Sequence, residues 1–148
     1  MKRRSAPPQR AIALAEARVR DAVGTLDSLA LGGVASCDEH VIEAMRYAAF
    51  NTVPVKEIAV IGLDGKTLCN HLGLPPGERN LISSEPLSGV RGYHFDIISL
   101  PNGKHMVRLR RGVGTASNSI SALVPTVLRT YCDCARRHDR RIRPVARR

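Results

Sequence analysis

Lys56–Gly73 reads KEIAVIGLDGKTLCNHLG, and the fold turns on how this stretch is read. Ile58, Val60 and Gly62 alternate with Ala59, Ile61 and Leu63, so both faces of its first half are apolar. Such a run suits a strand covered on both sides. Asp64-Gly65 then gives the strongest short hairpin signal, and a two-residue turn with both positions at positive φ is expected there. That turn sets a register in which Ile61 faces Leu68, Val60 faces Cys69 and Ile58 faces His71. Cys69 and His71 accordingly share one face, and Asn70 takes the other.

Upstream, Ala11–Leu31 is helical by composition. Ile12, Ala15, Val19, Ala22, Leu26 and Leu29 recur at spacings of three and four, which makes an apolar seam. Two arrangements satisfy that seam: a helix packed on its own domain, or a stalk helix paired with a second copy. Gly32-Gly33 ends it. Ser36-Cys37-Asp38-Glu39 has the form of a capping box, with Ser36 and Glu39 exchanging hydrogen bonds across the first turn. The helix it starts is expected to run to about Asn51, with Val41, Ile42, Met45 and Ala49 inward, and to stop before Pro54. Cys37 would then sit in the first turn. There the helix dipole favours a thiolate, and Asp38 and Glu39 oppose it.

Downstream, Leu74–Gly77 is a turn, and Glu78–Arg91, of mixed polarity with Pro86 and Gly89, reads as a loop or an irregular edge. Gly92–Leu100 and His105–Val113 form a second ribbon around Asn102-Gly103, a hairpin signal of the same kind. Its two-residue turn pairs Ile98 with Val107 and puts Leu100 and Leu109 on one side. Ser119–Tyr131 reads as a terminal helix with Pro125 as a kink or a boundary. The expected fold is therefore α+β: a mixed, mostly antiparallel sheet of two hairpins, packed by a long N-terminal helix, a second helix and a C-terminal helix.

The 148 residues fit one domain, placed at 11–131 with the stalk helix at 11–31, a basic lead-in at 1–10 and a basic tail at 132–148. Formal net charge is +10, and much of the excess lies in Lys2–Arg10 and Arg136–Arg148. A balance of this sign suits acidic partners such as nucleic acid or a phospholipid surface, but its concentration in the ends assigns it to solvated tails first. No run approaches the ~20 apolar residues of a membrane-spanning helix. No cleavable leader is visible, so the chain taken alone reads as cytosolic.

Little here points to catalysis. The histidines at 40, 71, 94, 105 and 138 are scattered, and no nucleophile–base pair or paired carboxylates can be named. Gly112-Val113-Gly114 lacks the rest of a dinucleotide fingerprint. Cys132-Asp133-Cys134 is poorly spaced for an internal bridge and weak as half of a zinc site. The chain is read as a non-enzyme without cofactor or metal. Arg91, Tyr93, Arg108 and Arg110 on the second ribbon are candidates for an anion pocket, which gives a small-molecule-binding module as one alternative. A nucleic-acid-binding protein using the arginine-rich tails is another. Cys37 and Cys69 are compatible with a bridge or with two buried thiols.

Cys37, the helix after it, and VKEIAVIGLDGKTLCNHLG together resemble the CSS-motif domain of bacterial membrane-bound EAL proteins. That family pattern has an upstream cysteine, an extended stretch ending in Asp-Gly, and Cys-Ser-Ser before Leu-Gly. The matching positions are Cys37, Asp64-Gly65, Cys69 and Leu72-Gly73, within about Gly24–Gly114. Asn70 and His71 stand where the family has two serines, and the family's transmembrane helices and phosphodiesterase domain have no counterpart in the sequence. The resemblance implies a periplasmic sensor domain, with PAS/Cache-like architecture suspected and a Cys37–Cys69 disulfide. It implies regulation of an attached cyclic di-GMP phosphodiesterase, with oxidation holding the enzyme less active and reduction favouring its output and proteolysis. Expected partners are periplasmic thiol-redox proteins, a membrane in the full-length family, and a second copy through the N-terminal helix; nucleic acid is not expected.

Overall fold

Every residue of β1 (Glu57–Ile61) is buried, as its two apolar faces require. The computed structural model describes residues 7–33, 36–52, 55–73, 76–112 and 118–124. Within them α1 (Pro7–Leu31) and α2 (Glu39–Asn51) precede β1, followed by β2 (Thr67–Asn70), β3 (Asn80–Pro86), β4 (Tyr93–Ser99), β5 (His105–Gly112) and β6 (Ser119–Val124). The strands form one sheet in the order β2-β1-β6-β5-β4-β3, antiparallel at every pairing. The α+β expectation holds, with the sheet wholly antiparallel among the described strands.

Three segments correct or sharpen the sequence reading, and the first is Pro7–Arg10, expected in the lead-in, which instead opens α1. Ser119–Val124 is a strand and not the start of a C-terminal helix; 125–131 lie outside the described residues. β6 sits between β1 and β5, so five of its six residues are buried, and Leu123 breaks the alternation that Ser119–Ala122 begins. Asn80–Pro86, within the stretch read as a loop or an irregular edge, is edge strand β3, and its largely exposed residues weaken the strand signal. Pro86 is tolerated because it lies at the end of an edge strand.

The hairpin turns also differ, with different consequences. In the first, the amide of Gly62 donates to the carbonyl of Lys66 at 2.8 Å, and that of Gly65 to Gly62 at 3.0 Å. Among the described residues only glycines have positive φ, Gly65 at 83° and Gly103 at 80° included. The loops are thus three residues long, closed by a left-handed glycine, and Asp64 and Asn102 keep ordinary backbone. In the β1–β2 hairpin a bulge at Leu68 cancels the offset. Ile61 faces Thr67 instead of Leu68, but Val60 still pairs with Cys69. The β4–β5 hairpin has no bulge, so its register shifts by one: Ile97 faces Val107 and Ile98 faces Met106. Alternation then sets Leu100, in phase with Ile98, on the opposite side from Leu109.

Both helices pack on one face. Ala15, Val19, Ala22, Leu26 and Leu29 of α1, with Val41 and Met45 of α2, join Ile58, Val60, Cys69, Phe95, Val107, Leu109, Ile120 and Val124 in one apolar cluster. The seam that could have paired with a second copy is therefore spent on the domain's own sheet. The other face carries buried Ala59, Ile61, Ile98 and Leu123 beside polar Asn70, Asp96, Arg108 and Ser121. Among the described residues no helix is long and apolar enough to cross a membrane.

Candidate functional site

Cys37 lies in the connection between the helices, and Cys69 lies on β2. Their sulfur atoms are 2.09 Å apart and their Cα atoms 6.0 Å apart, a disulfide that spans 32 positions. Cys69 is on the helix side because it pairs with inward-facing Val60. The two ends differ in environment: Cys37 is exposed, whereas Cys69 is 3% exposed within the core.

The capping-box expectation does not hold at the Cys37 end. The N-cap of α2 is Asp38, without a side-chain cap hydrogen bond, and the helix begins at Glu39. Ser36 Oγ instead donates to Asp38 Oδ2 at 3.1 Å. Cys37 precedes the cap and is outside the first turn, where the dipole would act most on a thiolate.

The residues after Cys69 are tied down on both faces. Asn70 Nδ2 donates to Glu57 Oε2 at 3.1 Å, and its Oδ1 accepts from the Leu72 amide at 2.9 Å. Glu57 in turn holds Arg79 by a two-pronged ion pair, with Arg79 Nη2 donating to Oε2 at 2.6 Å. Asn70 thus turns the chain off the sheet edge and links it to β1. His71 lies on the Cys69 side as expected, and its Nδ1 accepts from the Ile58 amide at 3.2 Å. Arg46 of α2 donates to the His71 carbonyl at 3.2 Å, a second and non-covalent link between that helix and β2. Leu72 is exposed, Gly73 adopts φ 86°, and Asp64 Oδ1 accepts from the Lys66 amide in the turn. The motif positions are thus occupied by residues that shape and fasten the β2 edge.

The four residues considered for an anion pocket do not meet. Arg91 is exposed in the turn before β4. Tyr93 faces the helices, where its hydroxyl donates to Asp27 Oδ1 at 2.6 Å and lies 3.0 Å from the Val23 carbonyl oxygen. Arg111 Nε reaches the same Asp27 oxygen at 3.0 Å. Burial, then the hydrogen bond and charge of Asp27, push the Tyr93 hydroxyl well above its ordinary value. Tyr93→Phe is expected to destabilise the domain by about 1–2 kcal/mol, because Asp27 and Val23 lose a buried donor. Urea titration checks this, and an unchanged midpoint would show the hydroxyl to be dispensable.

Arg108 and Arg110 do converge, but on Asp96. Arg108 Nη2 and Arg110 Nε both lie 2.9 Å from Asp96 Oδ2, and Ser84 Oγ donates to Oδ1 at 2.6 Å. Burial alone would raise the Asp96 carboxyl. Hydrogen bonds from Arg110 and Ser84 and the charges of both arginines outweigh it and hold the group below its usual range. Burial pushes the Arg108 guanidinium down, against the pull of Asp96. Sequence reading picked out the arginines and missed Asp96, although a single carboxylate within the apolar stretch YHFDIIS was a signal that a cation must face it.

Among the described residues no cluster of three metal-ligating side chains exists. Cys132, Cys134 and the arginine tail lie outside the described residues. The fold and site define an α+β domain fastened through one disulfide between an interhelical connection and an edge strand. Comparison with family models, curated proteins and solved structures finds no match for the chain.

Proposed function

We propose that this domain is a redox-responsive signal-input module whose switch is the Cys37–Cys69 bond. The observation that supports it is the bond's position: one end is in solvent and the other in the core, and it ties the entry of α2 to the sheet edge. Opening it removes the one covalent tie at the entry of α2 and leaves the helix to its apolar packing through Val41, Met45 and their neighbours and to hydrogen bonds such as Arg46–His71. Any loosening of α2 passes to α1 through the hydroxyls of Thr25 and Thr52, 2.7 Å apart. α1 is also latched to the sheet by Asp27, so it is the element on which a change in packing would register.

Following the resemblance to CSS-motif domains, the module belongs on the periplasmic side of an inner membrane, where a structural disulfide persists. There it regulates an attached cyclic di-GMP phosphodiesterase, held less active while the bond is closed. The PAS/Cache-like character of the sheet is part of the same proposal. A covalent switch biasing two packings of one helix is a sufficient mechanism, because an attached enzyme responds only to a differential between the two states.

Hydrogen exchange on the oxidised and reduced full chain tests this reading. Reduction is expected to speed exchange in α2 and β2 and, more weakly, in α1. An effect confined to residues 36–38 would leave no route to an output, and the proposal would fail.

A further inference from the structure

We infer that the bond is opened from one end only: a thiol reductant forms its mixed disulfide with Cys37, and Cys69 is the leaving group. The inference rests on the redox reading above and adds the site of covalent contact and the class of partner. Thiolate attack on a disulfide runs along the S–S axis and needs access to the sulfur attacked. Cys37 is exposed, ahead of the α2 cap, while Cys69 is 3% exposed, pairs with Val60 and belongs to the core cluster between helices and sheet. A nucleophile approaching Cys69 would have to come from within the packed layer between helices and sheet.

Leaving-group acidity does not reverse this choice. Burial disfavours a thiolate at Cys69, and Asp38 and Glu39 disfavour one at Cys37. Access therefore decides the site.

The step balances as thiol–disulfide exchange. The reductant's thiolate bonds to Cys37 Sγ, the Cys37–Cys69 bond breaks, and Cys69 leaves as a thiolate that takes up a proton. A second thiol on the reductant then attacks its own mixed-disulfide sulfur and releases Cys37 as a thiol. The reductant becomes a disulfide and the domain gains two electrons. A monothiol lacks that second step, and Cys69, held beside Cys37, returns most of its adduct to the closed bond, leaving a steady minor fraction that an acid quench traps. The partner class is accordingly a dithiol protein that docks on the exposed connection at residues 36–40.

The experiment uses the full oxidised chain carrying Cys132→Ser and Cys134→Ser, so that no other thiol can take up the adduct. The chain is treated with glutathione, quenched in acid, alkylated with a maleimide and mapped by mass spectrometry. Glutathione on Cys37 with maleimide on Cys69 is expected in about tenfold or greater excess over the reverse. At equal thiol, dithiothreitol is expected to open the bond far more completely. Equal labelling, a majority of adduct on Cys69, or no adduct under conditions where dithiothreitol opens the bond would each overturn the inference. A slow-exchanging reduced chain combined with selective Cys37 adducts would instead sink the signalling reading and leave the site of attack standing.

Discussion

Reduction of Cys37–Cys69 is expected to lower the melting temperature by about 10–15 °C, since a domain of this size shifts by about 4 °C per kcal/mol. The bond closes a loop of 32 positions. In the chain-entropy account a loop of that length restrains the unfolded chain by ~3–4 kcal/mol, a large part of a domain's ~5–15 kcal/mol. Cys37→Ser should reproduce the reduced protein, because that side chain is exposed and leaves no cavity. Cys69→Ser should cost more than reduction, by roughly 1–2 kcal/mol, because it also places a hydroxyl in the apolar cluster. Calorimetry of the oxidised, reduced and two variant chains gives the ranking. Identical midpoints with and without reductant would mean that the bond does not control order, and a switch that changes no free energy can signal nothing.

Which parts of this structure could be read from the sequence follows from where each signal lies. β1 was legible because an apolar run on both faces needs cover on both sides, and α1 because its seam has helical period and ends at two glycines. The Val60–Cys69 pairing was reached for a partly wrong reason: the assumed turn was one residue short, and the bulge at Leu68 restored the register. The same assumption failed at Asn102-Gly103, where no bulge compensates. An Asx-Gly pair marks a reversal but does not distinguish a two-residue loop from a three-residue loop. β6 was taken for a helix because the polar–apolar alternation of Ser119–Ala122 is broken at Leu123, and so short a run fits either element. β3 was legible only as a loop or an irregular edge, since its residues are largely exposed. At the site, both cysteines and the face of His71 were anticipated. Asn70 as a bracket to Glu57 was not, because Arg79 and Glu57 meet only once the chain after β2 returns across the far face.

Asp96→Asn is expected to be the most damaging single substitution outside the disulfide, costing about 3–5 kcal/mol. The neutral amide is close in size, so no cavity explains the loss. The effect comes from leaving Arg108 and Arg110 on a buried face without a counter-charge. Arg110→Met should cost much less, about 1 kcal/mol, because Arg110 is partly exposed and Asp96 keeps Arg108 and Ser84. Replacing Asp96, Arg108 and Arg110 together by apolar residues of similar volume should recover most of the loss, because it removes the charges and their desolvation together. The pH dependence has a definite sign. Asp96 titrates lower in the folded protein than its ordinary value near 3.8, so its contribution is full above that value and is lost as pH falls through the folded one. Urea midpoints of the parent and Asp96→Asn should therefore differ most near neutrality and converge as pH falls through the folded value. A constant difference across that range would assign the loss to packing, and a loss below about 1 kcal/mol would show the two arginines to be solvated well enough without their carboxylate.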